Sequence, residues 1–166
     1  ETRQAIHEEV EAATRVAQQW LVVVLAEQRE GDAQLLRYSR YPDNTAFLAG
    51  VMTSFAAHAP RHARLVVKNH PLDPGLVNLA AVSRRLAAER GLTGRVDFID
   101  GGNLAQLCRA SRGMVVNNSS AALSALGFHT PVKVLGRAFF DFQGLTDQQP
   151  LSAFWARPLQ KAFAGE

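Results

Sequence analysis

The sequence predicts an α/β fold, a parallel sheet with helices on both faces, and three observations predict it. Short apolar runs alternate with stretches of helical periodicity along most of the 166 residues. The joining loops are mostly short and polar, with glycine, proline, asparagine and aspartate at the turns. The first run, Trp20 to Ala26 in QWLVVVLAEQ, is apolar throughout rather than alternating. That pattern suits a strand covered on both faces. Strands separated by single helices pair in parallel, because only a crossover of that length brings the chain back in the same direction.

Each element follows in order. Residues 1–19 lack strong breakers, and Ile6, Val10, Ala13 and Val16-Ala17 recur at helical spacing; this is a leading helix and an expected connector to another domain. Residues 20–166 are the α/β domain. After the first strand a polar loop, EQREGDAQLLRYSRYPDN, leads to Asp43 or Asn44 as the cap of a helix. Phe47, Leu48, Val51, Met52 and Phe55 lie along its inner side, and His58-Ala59-Pro60 ends it. A strand at 64–68, the turn HPLDPG and a helix from about 75 to 90, stopped by Gly91, come next. Strands at 96–100, 113–118 and 131–136 then alternate with helices at 103–110 and 119–128, the second ended by Gly127.

Bulk properties exclude several classes. The net charge is +3, and the arginines are scattered rather than gathered in a basic run, so no nucleic-acid partner is expected; a small anionic ligand fits this balance. Cys108 is the single cysteine, which rules out a disulfide framework or a thiolate metal cluster. No apolar run reaches membrane-spanning length and no secretory signal pattern is present, so a soluble intracellular chain is expected. The first residue is not methionine and already belongs to a helical pattern, which suggests a domain of a longer protein.

In a parallel sheet of this kind ligands bind beyond the carboxyl ends of the strands, so those loops carry the candidate chemistry. In LVVKNHPLDPG, residues 65–75, a strand ends on Lys68, Asn69 and His70, and Pro71 restricts the histidine to extended backbone. His70 is either a turn histidine bonded to a carbonyl or an imidazole held over the crevice to meet a phosphate. Lys68 is either a solvated strand-end lysine or a further charge at the same place. In NNSSAAL, Asn117 and Asn118 make a turn and Ser119-Ser120 open a helix. The two hydroxyls either cap that helix or, with its first amides, seat a phosphate. Asp32 and Gln34 in the first loop either touch a sugar or form a surface turn.

Other chemistry is weakly represented. His129 reads as structural, His7 and His62 have no companions, and no spacing of His, Asp and Glu resembles a metal site. The serines lack a G-x-S-x-G elbow. There is no G-x-G-x-x-G after the first strand and no Walker A sequence, which lowers dinucleotide and P-loop functions.

Three segments in order, LVVKNHPLDPG, GMVVNNSSAALSALGFHTPVKVLG and FFDFQGLTDQQPLSAFW, together with the GDAQLLRYSRY loop, resemble the capsular polysaccharide biosynthesis and export proteins of Gram-negative bacteria. These include the KpsS-like and KpsC-like retaining transferases of β-Kdo (3-deoxy-manno-octulosonic acid). The resemblance runs from Trp20 to Trp155. It implies a Rossmann-like sheet forming the C-terminal, nucleotide-binding half of a GT-B-like glycosyltransferase, with CMP-Kdo as the donor substrate and no metal or other cofactor. His70-Pro71 is similar to the family's HP motif at the nucleotide phosphate, and Ser119-Ser120 to its serine motif. Lys68, Asn118 and Gln34 complete the implied nucleotide-binding set.

The resemblance also implies partners: a glycolipid or polysaccharide acceptor, an N-terminal domain that would carry the acceptor contacts and the catalytic carboxylate, and the capsule export machinery. It implies a cytoplasmic location, peripheral at the inner membrane. Two departures stand out. The family pattern N-S-T-x-G is replaced by Asn118, Ser119, Ser120, Ala121 and Ala122, and a glycine expected after the GLT-x-Q run is Gln149. Asp73 and Asp141 are the carboxylates nearest the motifs, and neither is assigned as a nucleophile. Competing functions are a non-catalytic assembly domain, whose late aromatic segment would dock on export components, and one half of a sugar-nucleotide epimerase. That aromatic segment is expected to pack on the absent domain.

Overall fold

A computed structural model describes residues 3–4, 21–25, 43–69, 78–100, 103–117, 119 and 121–156. Among these residues five apolar segments form strands: β1 (Leu21–Leu25), β2 (Arg64–Lys68), β3 (Val96–Ile99), β4 (Gly113–Val116) and β5 (Val132–Val134). They make one sheet in the order β3-β2-β1-β4-β5, and every pairing is parallel. The helices are α1 (Asn44–His58), α2 (Leu79–Glu89), α3 (Leu104–Ala110), α4 (Ala122–Gly127) and the short α5 (Leu151–Phe154).

The strand order explains the two layers of helix. From β1 the chain steps outward through α1 to β2 and through α2 to β3, then returns through α3 to β4 on the other side of β1. Crossovers between parallel strands are right-handed, so a reversal of direction moves the helices to the opposite face. The core divides accordingly. Leu65, Val67 and Val115 pack with Phe47, Val51 and Phe55 of α1 and Leu86 of α2. Val66, Met114 and Val116 pack with Leu107 of α3 and Ala122 and Ala125 of α4. Adjacent residues of β2 and β4 thus serve opposite layers, as the two-residue repeat of a strand requires.

Local chemistry sets the helix ends. Asp43 is the N-cap of α1, its Oδ1 accepting from Ala46 N at 2.8 Å. Asn78 and Asn103 cap α2 and α3 in the same way. Gly91, at φ +69°, ends α2: its N–H bonds to Ala88 O, and Leu92 N bonds to Ala87 O at 2.8 Å. This is a Schellman motif, which needs a left-handed residue at that place.

Several expectations change. Helix α4 begins at Ala122, later than the expected 119, because Ser119 and Ala121 form a turn ahead of it. It ends at Gly127 as expected, but the left-handed residue that follows is His129. His129 takes φ +58°, with its N–H bonded to Leu126 O and Thr130 N bonded to Ala125 O. The strands expected at 96–100, 113–118 and 131–136 are shorter, at Val96–Ile99, Gly113–Val116 and Val132–Val134. Apart from residues 3 and 4, the leading helix lies outside the described residues, as does the start of the helix expected from 75.

The late aromatic segment divides. Phe140, Phe154 and Trp155 are buried in this chain's own core rather than held for another domain, whereas Phe139 is 81% and Phe142 54% exposed. The difference is topological: α5 lies on α1, where its aromatic side chains fill the layer formed by Phe47 and Phe55. Between β5 and α5 the chain also covers the sheet edge. Asp147 N bonds to Val132 O at 2.8 Å, occupying a carbonyl that an edge strand would otherwise leave open.

Candidate functional site

The carboxyl ends of β2, β3, β4 and β5 form one rim. In register, Lys68 lies between Leu25 of β1 and Ile99 of β3. The ladders continue past the strands: Asn69 N donates to Ile99 O at 2.9 Å, Leu135 N to Val116 O at 2.9 Å and Gly136 N to Asn117 O at 2.7 Å. Asn69, Asp100, Asn117 and Gly136 are thereby presented together beyond the sheet. The reversal of strand order between β1 and β4 falls inside this rim, where an open parallel sheet leaves its crevice.

Lys68 is 7% exposed, so it is not the solvated strand-end lysine of the alternative reading. It follows Val66 by two residues and shares its side of the sheet, facing the α3–α4 layer. Burial pulls its pKa below the usual lysine value, and the charge of Asp100 opposes that shift. Asn69 donates through Nδ2 to Asp100 Oδ1 at 2.9 Å, which ties the ends of β2 and β3. A partly desolvated ammonium with one nearby carboxylate attracts anions more strongly than a solvated lysine does, because less water screens it.

Ser119 is half-buried on the neighbouring loop. Its Oγ accepts from Ala121 N at 3.3 Å and its carbonyl accepts from Ala122 N at 3.3 Å. These amides were expected to open toward a ligand; in the fold Ser119 occupies them. Gln34, His70, Pro71, Asn118 and Ser120 lie outside the described residues, as do Asp32 and Asp73. Of the expected set, Lys68 and Ser119 are therefore the two whose surroundings are described, at the ends of β2 and β4.

Asn69 and Asp100 were not singled out from sequence. Each is the first residue beyond its strand, and only the β2–β3 register makes them neighbours. A weak signal existed in the polar residue that ends each apolar run, Asn69 after LVVK and Asp100 after DFI. Asp141 accepts from Thr146 Oγ1 at 2.7 Å and from Gln148 Nε2 at 3.1 Å, so its carboxylate is a staple of the 141–148 loop. Among the described residues no group of three or more His, Cys, Asp or Glu could hold a metal ion, and no helix is long and apolar enough to cross a membrane.

The arrangement is similar to known folds. The KpsC β-Kdo 2,7-transferase of Thermosulfurimonas dismutans superimposes with a TM-score of 0.55 at 20% identity, covering 93% of this chain and 52% of that one. A KpsC β-Kdo 2,4-transferase of the same organism gives a TM-score of 0.52 at 14% identity, covering 92% and 55%. At these identities the likeness is one of fold. In sequence, the chain is 39% identical over 128 residues to the capsule polysaccharide modification protein LipB of Neisseria meningitidis, covering 76% of this chain and 30% of LipB. It is 37% identical over 124 residues to the capsule polysaccharide export protein KpsS of Escherichia coli, covering 75% of this chain and 32% of KpsS. The chain thus spans about a third of the length of these relatives. The family described as capsule polysaccharide biosynthesis protein matches residues 2–163. With nearly its whole length matched by that family, and relatives 37% and 39% identical over three quarters of it, this chain belongs to the capsule polysaccharide biosynthesis protein family.

Proposed function

We propose that this chain is the donor-nucleotide-binding half of a GT-B-type capsule glycosyltransferase that takes Kdo from CMP-Kdo. The observation that carries the proposal is the buried Lys68 at the crevice rim, two residues before the His70-Pro71 pair and next to the Asn69–Asp100 tie. Lys68 and His70 supply positive charge and donors for the CMP phosphate, and Ser119 and Ser120 supply hydroxyls from the loop after β4. Asn118 shapes that loop, and Gln34, from the loop after β1, contacts the donor. As the bond to Kdo breaks, negative charge grows on the leaving phosphate. Preorganised donors stabilise that charge without waiting for water to reorganise. The donor set needs no metal.

The acceptor, a glycolipid or growing polysaccharide, and the catalytic carboxylate belong to an N-terminal half, at the cytoplasmic side of the inner membrane. The isolated chain therefore binds CMP weakly and turns nothing over. A titration of the labelled chain with CMP, with UDP as control, followed by NMR tests this. Selective shifts at Lys68–Leu72 and Asn118–Ala121 with CMP are the expected result. Absence of shifts at millimolar CMP removes the donor-site assignment for this chain by itself. The exposure of Phe139 and Phe142 favours a second reading, a non-catalytic module that docks on export components. CMP binding that vanishes in His70→Ala argues against it.

A further inference from the structure

Among the described residues, four large apolar side chains are exposed: Leu123, Phe139, Phe142 and Leu145. Leu123 is on α4, after β4, and the other three are in the loop after β5. Single exposed apolar residues are ordinary. A phenyl ring left 81% exposed, with a second exposed ring three residues on, is not.

Folding chemistry does not account for the two rings. Their loop is tied by its own hydrogen bonds: Asp141 N donates to Ala138 O at 3.1 Å, Leu145 N to Phe142 O at 3.1 Å, and Thr146 Oγ1 to Asp141 Oδ1 at 2.7 Å. Ala138 and Phe140 of the same loop pack on the α3–α4 layer. Phe139 stands edge-on against the buried Phe140, with ring centroids 5.4 Å apart, and most of its own surface stays open. The loop thus turns one ring into the core and holds its neighbour out. Arg137 keeps it company. That side chain is exposed, and among the described residues no carboxylate forms an ion pair with it. The carboxylate four residues on, Asp141, is taken by Thr146 and Gln148 instead.

The position in the fold points to a ligand. Gly136 N donates to Asn117 O at 2.7 Å, so the loops after β4 and β5 leave the sheet from one joint. Arg137 is the next residue on one loop, and Ser119 lies two residues beyond the joint on the other. We propose that Arg137, Phe139 and Phe142 form a saccharide subsite beside the crevice, for a pyranose that carries a carboxylate. The C–H groups on one face of a pyranose are polarised by its oxygens, and they meet the negative face of a phenyl ring. The carboxylate pairs with the unengaged guanidinium, whose planar fork matches its two oxygens. The exposed Gln143 adds an amide for hydroxyl groups. A purely apolar partner would strip water from Arg137 and return nothing. A saccharide chain and the sugar of a bound donor present the same ring and charge, so either can fill the subsite. The inference does not depend on which nucleotide the crevice binds.

NMR titrations of the labelled 166-residue chain test it, with a glucuronate-containing tetrasaccharide, CMP-N-acetylneuraminate and CMP alone as probes. Shifts at Arg137–Phe142 with the tetrasaccharide assign the subsite to a saccharide chain. Shifts there with CMP-N-acetylneuraminate and not with the tetrasaccharide assign it to the sugar of the donor. In both cases Arg137→Gln should weaken binding about fivefold, the upper worth of an exposed ion pair. Phe139→Ala should weaken it by about the same factor. Its Tm should stay near that of the parent, because the ring is mostly solvated. Arg84→Gln, an exposed change on α2, should leave binding unaltered. Equal shifts with CMP alone would give the rings to the nucleobase, and self-association lost in Phe139→Ala would give them to a protein partner. Either result, equal affinity for a carboxyl-reduced tetrasaccharide, or no shift at Arg137–Phe142 with any probe would overturn the proposal.

Discussion

The indole Nε1–H of Trp155 donates to Ser54 Oγ at 2.8 Å, a contact between residues 101 apart in sequence. The same ring meets Phe55 edge-on at 5.1 Å and Phe154 at 6.0 Å. One side chain therefore fastens the end of the described chain to α1 and completes the core layer over β2. The hydrogen bond matters because a buried indole without a partner would lose the water it had when unfolded.

Trp155→Ala should destabilise the chain by about 3–5 kcal/mol, the usual range for deleting a buried aromatic. Ser54→Ala, which removes the indole's acceptor alone, should cost about 1 kcal/mol. Urea unfolding of both variants measures the difference. Similar small losses in the two would mean that α5 is not part of the cooperative unit.

Lys68 makes stability depend on alkaline pH in a defined direction. Its folded pKa is lowered from 10.5, chiefly by burial, so the unfolded chain binds this proton more tightly than the folded chain does. Its contribution therefore destabilises the fold below the folded pKa, and stability recovers as pH rises from there toward 10.5. Stability measured against pH should show this rise in the parent chain and lose it in Lys68→Met. Asp100→Asn removes the charge that opposes the shift, so the rise should begin at lower pH. An unchanged pH profile in Lys68→Met would show that the ammonium is not desolvated.

The crevice residues should separate ligand binding from folding. Ser119→Ala removes a long 3.3 Å turn contact, so it should cost less than about 1 kcal/mol of stability. If the donor reading holds, the same change loses a hydrogen bond to a charged phosphate and weakens CMP binding about tenfold. His70→Ala should act in the same direction. Parallel thermal melts and CMP titrations check both; equal CMP affinity in all three chains would place the phosphate elsewhere.

His129 holds a left-handed conformation that side chains with a Cβ adopt at a cost. Glycine at this position meets the requirement of the Schellman turn without that strain, although it adds freedom to the unfolded chain. The net expectation for His129→Gly is a gain of up to about 1 kcal/mol, read from the denaturation midpoint. A loss instead would mean that the imidazole makes a contact worth more than the strain.

Sequence alone determined the five strands and the four helices between them, in order, because the switch from unbroken apolar runs to helical periodicity is a local property of the chain; the short α5 was not expected. A cap at Asp43 or Asn44, which the structure resolves as Asp43, and Gly91 as a stop were legible for the same reason: each acts on backbone groups within a few residues. Membership of the capsule family was legible too, since it rests on ordered motifs. The left-handed turn at His129 was not legible, because glycine is the usual left-handed residue and Gly127, where the helix ends, stood two positions away. Tertiary structure decided what depends on residues distant in sequence. The burial of Lys68 needs neighbours from other strands, and the Asn69–Asp100 tie needs the β2–β3 register. The inward turn of Phe140, Phe154 and Trp155 needs the final segment to lie back over the domain.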